Sequence, residues 1–409
     1  MSRAAAFPSL AFAAVLACGA PVRSPVVTPD PYADLAPLVR EIGGARVVAL
    51  GEPSHAEGNM FAAQARLVAF LHDRLGFTVL AWEAGLWSCE TDSTHCVGWP
   101  WGTVIETRAV RPPPPGIRVT GFDFQFSGTH RDESLDLLRD RLAMVVSTDP
   151  SLVARLAMAF GRFPKMTHFH ALTVAERTLD RQTFRDVLTL LDENGRRDGE
   201  DADLLHRAVE NVIGLYDWHE AVHADVSTTI DWNHNALNNV RDKAMADNLL
   251  WLMNTRYPGQ KIILWLASFH AARDLGILAE PPGGSDPTDR AGFRSMGNWL
   301  SEALGPAYFA LAMTAYEGRI GNPPQRKEMV VGPAPRGSID ASWAPAVDGF
   351  RVVPRIGLGD TPTEARFVGL HAFIAPWARV FDAGLVFRTV TPATPEPVLH
   401  VPVPAAAGR

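Results

Sequence analysis

The sequence is poor in three features that often reveal what a protein does. It has only three cysteines in 409 residues, and its net charge is −7, with the Lys and Arg residues scattered rather than clustered. The lack of a basic field argues against nucleic acid as a partner. No G-x-S-x-G elbow, phosphate-binding loop or G-x-G-x-x-G turn is present, so these enzyme classes have no support, and we expect no cofactor.

The start of the chain is typical of an exported protein. Residues 1–18 have a short positive start, an apolar centre and small residues at the end, although a mistaken start site is an alternative. They are too short and too rich in Ala to predict a membrane span. The segment also resembles a lipoprotein cleavage box, in which Cys18 would carry a lipid anchor. We therefore predict an exported protein, periplasmic or membrane-anchored, with residues 19–30 as a linker.

The other two cysteines, Cys89 and Cys96, are seven positions apart. In an oxidising compartment this pair is expected to form a disulfide that closes the loop between them. A zinc site is the weaker interpretation, because no second Cys pair follows and His95 stands alone in the sequence. His219 and His223 fall on one helix face and are compatible with a metal pair, but we do not predict a metal there.

Apolar runs alternating with helical periodicity predict a mostly parallel α/β sheet flanked by helices. With 47% hydrophobic residues, the chain is long enough for one large α/β domain with an insertion, or for two or three domains. Strands are predicted at residues 46–51, 77–82, 118–122, 261–267, 307–316 and 384–390. A helix over residues 59–75 is predicted to end at Gly76, and residues 84–116 are predicted as a long loop.

The order of these elements divides the chain into segments. We expect the first part of the α/β core at residues 31–131, a helical insertion at 132–237, and the second part of the core at 238–318. A small α+β part with the last core strand follows at 319–392, and a flexible tail rich in Pro and Ala at 393–409.

Several predicted strands end in polar side chains. Glu52 and His55 follow the first strand, Glu83 the second, Asp123 the third and His270 the fourth. In an open α/β sheet, sites lie beyond the carboxyl ends of the strands, so these groups are expected to converge. Carboxylates and imidazoles together can activate water for hydrolysis, and His55 is the best candidate base because histidine exchanges protons near pH 7.

Each of these residues also has a structural interpretation. His55 could cap the next helix, Asp123 a turn, and His270 could be a satisfied structural histidine. Glu83 could form an ion pair with Arg66 or Arg241.

Asp123 and two further residues are candidates for binding a substrate. Arg241, at the start of a helix, could bind an acidic ligand rather than form an ion pair with Glu83. Trp87 belongs to an aromatic group with Trp82, Trp99 and Trp101 that favours an amphipathic ligand, although these rings could equally pack the loop.

The same residues resemble the erythromycin esterase family. The resemblance consists of an ordered set of motifs: residues 51–55 (Gly-Glu-Pro-Ser-His), 76–77 leading to Glu83, 121–123, Arg241-Asp242 with residues 245–248, the strand ending near His270, 296–297 and 381–383. It implies an α/β core with a helical insertion and a small α+β part. It also implies hydrolysis of a macrolactone ester, as in antibiotic resistance, by a water that a histidine activates.

Within this resemblance, His55 matches the general base, Glu52 and Glu83 the acids, and His270 the second histidine. Gln64 stands where a basic residue is common. We therefore predict a carboxylic ester hydrolase acting on a small-molecule ester, with His270 binding the oxyanion. The alternatives are an exported metal- or small-ligand-binding protein without esterase activity, and a silent surface lipoprotein. The sequence does not indicate an oligomeric state.

Overall fold

The computed structural model describes residues 30–98, 100–167, 172–193, 200–223, 235–283, 292–322 and 326–397. The chain divides into two units, residues 1–33, of which 30–33 are described and form a turn, and residues 34–409. The predicted signal, Cys18 and Trp99 lie outside the described residues. No helix within the described ranges is both long and apolar enough to cross a membrane.

The larger unit is built around a central sheet, and its described strands run in the order β3-β2-β4-β1-β5-β10-β7, with β6 paired to β5. The central strands are β1 Val47–Glu52, β2 Val79–Gly85, β3 Arg118–Asp123, β4 Ile262–Ala267, β5 Tyr308–Asn322, β6 Arg326–Val331, β7 Phe350–Pro354 and β10 Ala383–Val390. Two further strands, β8 Thr363–Val368 and β9 His371–Ala375, pair antiparallel in a second sheet. The pairs from β3 to β10 are all parallel, whereas β7 and β6 are antiparallel to their neighbours. The predicted mostly parallel α/β fold is therefore confirmed.

Helices cover the sheet and form a separate group after β3. They are α1 Ala36–Ile42, α2 Gly58–Leu75, α3 Leu86–Thr91, α4 Arg131–Val145, α5 Pro150–Thr167, α6 Val174–Glu193, α7 Glu200–His223, α8 Asn235–Trp251, α9 Ser268–Ala271, α10 Met296–Leu304, α11 Ile339–Trp343 and α12 Arg355–Leu358. Short 3₁₀ turns lie at Ala33–Leu35, Trp101–Thr103, Ile105–Val110, Gly305–Ala307 and Trp377–Arg379, and a π turn at Leu252–Arg256 extends α8.

Local chemistry explains β1 and α2, the two elements on either side of the first polar cluster, Glu52 and His55. All six residues of β1 are buried, as expected for a central parallel strand whose two faces are both covered. The helix α2 ends as predicted at Gly76, which takes the left-handed conformation (φ 70°) that lets its N–H reach the carbonyl oxygens of the last turn. The first polar cluster therefore lies between a buried strand and a long, capped helix.

The helical segment α4–α7 has its own hydrophobic core, separate from the one that packs on the sheet. Its largest fully buried side chains include Phe163, Phe184 and Tyr216. Phe124, which directly follows β3, packs into this second core, so the end of β3 joins the helical segment to the sheet.

The structure corrects some of the expectations from the sequence and confirms the predicted disulfide. The predicted loop 84–116 contains α3 and two 3₁₀ turns, because its polar and aromatic side chains find partners in distant segments. Cys89 and Cys96 are bonded, as predicted. Within residues 319–392, where we predicted a small α+β part and the last core strand, β7 pairs with β10 in the main sheet. Residues 393–397 are not a free tail, because Glu396 forms ion pairs with Arg108 and Arg111.

Candidate functional site

The carboxyl ends of β1, β2, β3 and β4 lie at one edge of the sheet, because these four strands are parallel neighbours. The polar residues predicted at strand ends therefore lie along this edge. They form two groups: Glu52 with His55, and Glu83 with Asp123 and His270.

The first group is a buried carboxylate that holds a histidine by one nitrogen. His55 Nδ1 donates a hydrogen bond to Glu52 Oε1 over 2.7 Å. Glu52 is fully buried and also accepts hydrogen bonds from Trp101 Nε1 (3.0 Å) and Gln64 Nε2 (2.7 Å). The indole of Trp101 also meets the edge of the His55 ring, with the centroids 5.1 Å apart. These contacts fix the orientation of the imidazole and leave its Nε2 without a hydrogen bond to any described residue.

The backbone of His55 is strained, with φ at +64°. A non-glycine residue in this left-handed region costs about 1–3 kcal/mol, and such strain persists only where the surroundings enforce it. The neighbouring turn supplies that support, because Glu57 accepts hydrogen bonds from Ser54 Oγ and from the Ala56 amide. Ser54 is thus a turn residue.

The charges in the first group favour a protonated imidazole. Burial by itself lowers the pKa of His55, but the hydrogen bond and negative charge of Glu52 outweigh it, so the pKa lies above the usual histidine value. Burial raises the pKa of Glu52, against the hydrogen bonds from His55 and Gln64. His55 retains 24% of its side-chain exposure, so a small molecule can reach it.

The second group is an ion-pair network around Arg241. The guanidinium Nη2 donates to Glu83 Oε1 (2.8 Å) and to Asp123 Oδ2 (2.7 Å), and both carboxylates are buried. His270 Nε2 lies 3.3 Å from Glu83 Oε1, and its Nδ1 donates to Asp242 Oδ1 over 2.9 Å. The structure thus realises the alternative in which Glu83 pairs with Arg241.

The network lowers the pKa of Glu83 and raises the pKa of His270, whose Nε2 also lies 3.1 Å from Arg241 Nη1. Burial acts to raise the pKa of Glu83, but His270 and Arg241 hold it well below its usual value. Burial acts to lower the pKa of His270, but Asp242 and Glu83 raise it to about 10. The charge of Glu83 also raises the pKa of His55, so the two groups share one electrostatic field.

Not every predicted site residue lies in these two groups. Trp87, predicted to contact a ligand, lies outside both groups: it is 95% buried in the helical core, and its Nε1 donates to the Ser134 carbonyl oxygen. Trp101 takes the place beside His55. Arg66, the other proposed partner of Glu83, pairs with Asp34.

The sequence analysis names Gln64, Asp242 and Trp101 but does not predict their contacts in the site. Gln64 carried a usable signal, because it falls on the apolar face of α2 between Met60 and Leu67, where a polar side chain needs a buried partner. Nothing in the sequence around Asp242 distinguishes it from an ordinary acid in the first turn of a helix. Likewise, nothing distinguishes Trp101 from an aromatic residue that only packs a loop.

The helix α7 carries a spacing that is typical of zinc enzymes. Residues 219–223 read His-Glu-Ala-Val-His, the H-E-x-x-H pattern of many zinc enzymes. His219 is fully buried in the helical part, whereas Glu220 is 52% exposed and pairs with Arg181. The side chain of His223 lies outside the described residues. The described contacts therefore give no support to zinc chemistry at this helix.

Comparison with known proteins agrees with the motifs. The family model described as "Erythromycin esterase" matches residues 106–390, well over half of the chain. This range includes Asp123, Arg241 and His270 but begins after His55 and Glu83.

Individual relatives extend the similarity over most of the chain. The "Putative hydrolase YbfO" of Bacillus subtilis (strain 168) is 24% identical over 350 residues, which are 75% of this chain and 74% of that protein. "Erythromycin esterase type II" of Escherichia coli is 24% identical over 331 residues, 71% of this chain and 73% of that protein. A solved structure of the erythromycin esterase EreC in its open conformation superposes with a TM-score of 0.66 at 14% identity, covering 88% of this chain and 94% of that one. The chain belongs to the erythromycin esterase family.

Proposed function

We propose that the protein hydrolyses a small-molecule ester with a water that His55 activates. The observation that carries the proposal is the Glu52–His55 pair. Glu52 accepts the Nδ1 hydrogen bond at 2.7 Å, so Nε2 is the nitrogen that can accept a proton. Membership of the erythromycin esterase family and relatives described as hydrolases support the broader class, an esterase or hydrolase.

In the proposed reaction, Nε2 of neutral His55 takes a proton from water as the water oxygen attacks the ester carbonyl carbon. Glu52 stabilises the imidazolium that forms, as a carboxylate does for a catalytic histidine. The tetrahedral intermediate then collapses, the bond to the alkoxy group breaks, and Nε2–H returns its proton to the leaving oxygen. The products are a carboxylic acid and an alcohol, and His55 is neutral again.

Glu83 and His270 receive modified roles in this proposal. Both ring nitrogens of His270 already face protein groups, so we assign it to keeping Glu83 ionised rather than to binding the oxyanion. The Glu83 carboxylate then adds negative charge near the His55 imidazolium. Arg241 forms ion pairs with both Glu83 and Asp123. We therefore assign Asp123 and Arg241 to this network and not to direct contact with the substrate.

A macrolactone is the first substrate to test, because esterases of that description are among the relatives. In this chain Gln64, an uncharged donor, holds Glu52 at a position where the resemblance to the family implies a basic residue. This exchange leaves the Glu52–His55 pair more negative, which favours a protonated His55 and an activity that rises with pH.

The test is a panel of p-nitrophenyl esters and macrolactones with wild type, His55→Asn and His206→Asn. Asn tolerates a positive φ, so the substitution removes the base while preserving the turn. His206 lies on α7, outside both groups, and serves as the matched control. We expect His55→Asn to lower kcat/KM by about 10²–10⁴-fold, the contribution of a general base, with His206→Asn unchanged. Equal activity in all three proteins would refute the role of His55, and no cleavage of any ester would support a binding protein.

We also propose that the protein acts outside the cytosol. The apolar start of the sequence and the Cys89–Cys96 disulfide support this, because structural disulfides persist in oxidising compartments. Fractionation of cells that express the full chain, with wild type compared with Cys18→Ala, distinguishes the locations. Recovery of wild type from the membrane and of the variant from the soluble periplasm indicates a lipid anchor, and recovery of both from the cytosol contradicts export.

A further inference from the structure

Three potential metal ligands meet at the surface near the disulfide. Asp92 and His95 lie in the loop that Cys89 and Cys96 close, and His130 immediately precedes α4. The carboxylate oxygen and the imidazole nitrogens of these three residues all lie within 4.8 Å of one another. Within the described ranges, this is the one group of three or more His, Cys, Asp or Glu side chains that meets this criterion.

Binding of a single cation requires only small movements of the three side chains. Asp92 Oδ2 lies 2.7 Å from His95 Nδ1 and 3.9 Å from His130 Nδ1. Two ligands of a tetrahedral Zn²⁺, each about 2.0–2.1 Å from the metal, lie about 3.3 Å apart, a value between these two distances. The imidazole rings are stacked with their centroids 3.7 Å apart, so they must separate at their tips to bind one ion. Their exposure of 44% and 47% leaves room for that movement.

The backbone around the three ligands is fixed. The carbonyl oxygen of His95 accepts a hydrogen bond from the Thr129 amide at 3.1 Å. Gly128 has φ at +104°, and a Cβ atom there would lie 2.6 Å from the same oxygen, so only glycine allows the two segments to approach this closely. Together with the disulfide, these contacts hold His95 and His130 side by side although 35 positions separate them.

Hydrogen bonds hold the carboxylate of Asp92 in place. It accepts them from the amide and the hydroxyl of Thr94 and from His95 Nδ1. Glu133 lines the same cavity of about 160 Å³. With Asp132, it also places negative charge in the first turn of α4.

We propose that Asp92, His95 and His130 bind one divalent transition-metal ion, Zn²⁺ or Cu²⁺, which links the disulfide loop to the start of α4. Two imidazoles and one carboxylate suit these borderline cations, whereas Mg²⁺ and Ca²⁺ prefer oxygen ligands alone. The sequence predicted that His95 stands alone, but the structure places His130, which follows β3 in the chain, next to it. This site is separate from the Glu52–His55 pair and does not depend on ester hydrolysis.

The test is calorimetric titration of the full oxidised chain with Zn²⁺ and, separately, with Mg²⁺. We expect one Zn²⁺ to bind wild type and no heat of binding for Mg²⁺. His95→Ala and His130→Ala should each weaken Zn²⁺ binding by at least about tenfold, since loss even of a group that only supports a ligand costs 10–100-fold. His371→Ala, which removes an exposed histidine on β9, is the control and should bind as wild type does.

A spectroscopic measurement identifies the ligands directly. Electron paramagnetic resonance of bound Cu²⁺ should show two imidazole nitrogens in wild type and one in His130→Gln. Asp92→Asn, which preserves the size of the side chain, should weaken binding while keeping both nitrogens. Absence of stoichiometric binding to wild type, or unchanged affinity in both single-histidine variants, would overturn the proposal. Circular dichroism and a free-thiol count on each variant establish that the fold and the disulfide are intact.

Discussion

Replacing Arg241 with Met should destabilise the protein far more than an ordinary surface ion pair would. Arg241 makes a hydrogen bond of 2.8 Å to Glu83 and hydrogen bonds of 2.7 and 3.3 Å to Asp123. The side chains of these two acids are each only 4% exposed. Its removal leaves both acids buried without this cation. Breaking a buried pair in this way costs about 3–5 kcal/mol, because a charge remains in a poorly solvating environment.

The remaining contacts compensate only in part. Glu83 keeps His270, 3.3 Å away, and the amide of Ala267, 3.0 Å away. Asp123 keeps the amide of Gln125, 3.2 Å away. We therefore expect a loss within this 3–5 kcal/mol range, and a smaller loss for Arg241→Lys, which retains one charge but not the fork that reaches both acids.

The assay is urea unfolding at pH 7 followed by tryptophan fluorescence, since Trp82, Trp101 and Trp265 pack together next to the site. The matched control is Arg66→Met, which removes an ion pair with Asp34 whose partners are 36% and 47% exposed. Exposed pairs contribute about 0–1 kcal/mol. If Arg241→Met lost no more free energy of unfolding than Arg66→Met, the role assigned to the buried network would be refuted.

Three other outcomes follow from the pKa shifts and the disulfide. The midpoint of the rise of kcat/KM with pH should lie above the usual histidine pKa of about 6.5. Glu52→Gln should move this midpoint to lower pH, because the charge that raises the pKa of His55 is gone. An unchanged midpoint would contradict the effect of Glu52 on His55. The raised pKa of His270, about 10, contributes stability that is complete below about pH 6.5 and is lost as the pH rises through 10. The free energy gap between wild type and His270→Gln should therefore shrink by up to about 1.4 kcal/mol per pH unit from pH 7 to 10, measured by urea unfolding, and parallel curves would contradict this. Loss of the seven-residue link in Cys89→Ala/Cys96→Ala should cost about 2.5 kcal/mol from loop entropy, and reductant should then have no further effect on that variant.

Much of the fold could be read from the sequence because its signals are local. The burial of β1 follows from its continuous apolar run, and the end of α2 follows from Gly76, whose preference for the left-handed conformation needs no distant partner. The short α3 and α9 were not predicted, because a helix of four to six residues has too few turns to show periodicity.

The sequence by itself placed Glu52, His55 and Glu83 at the ends of strands, because alternation of strands and helices brings the ends of parallel strands to one edge. Only the tertiary structure decided which side chains meet there. Arg241 reaches Asp123 across 118 positions, and Trp101 reaches Glu52 from a segment that carried no regular pattern. Such contacts depend on strand order and loop path, and these are set by packing of the whole core rather than by any local run of residues.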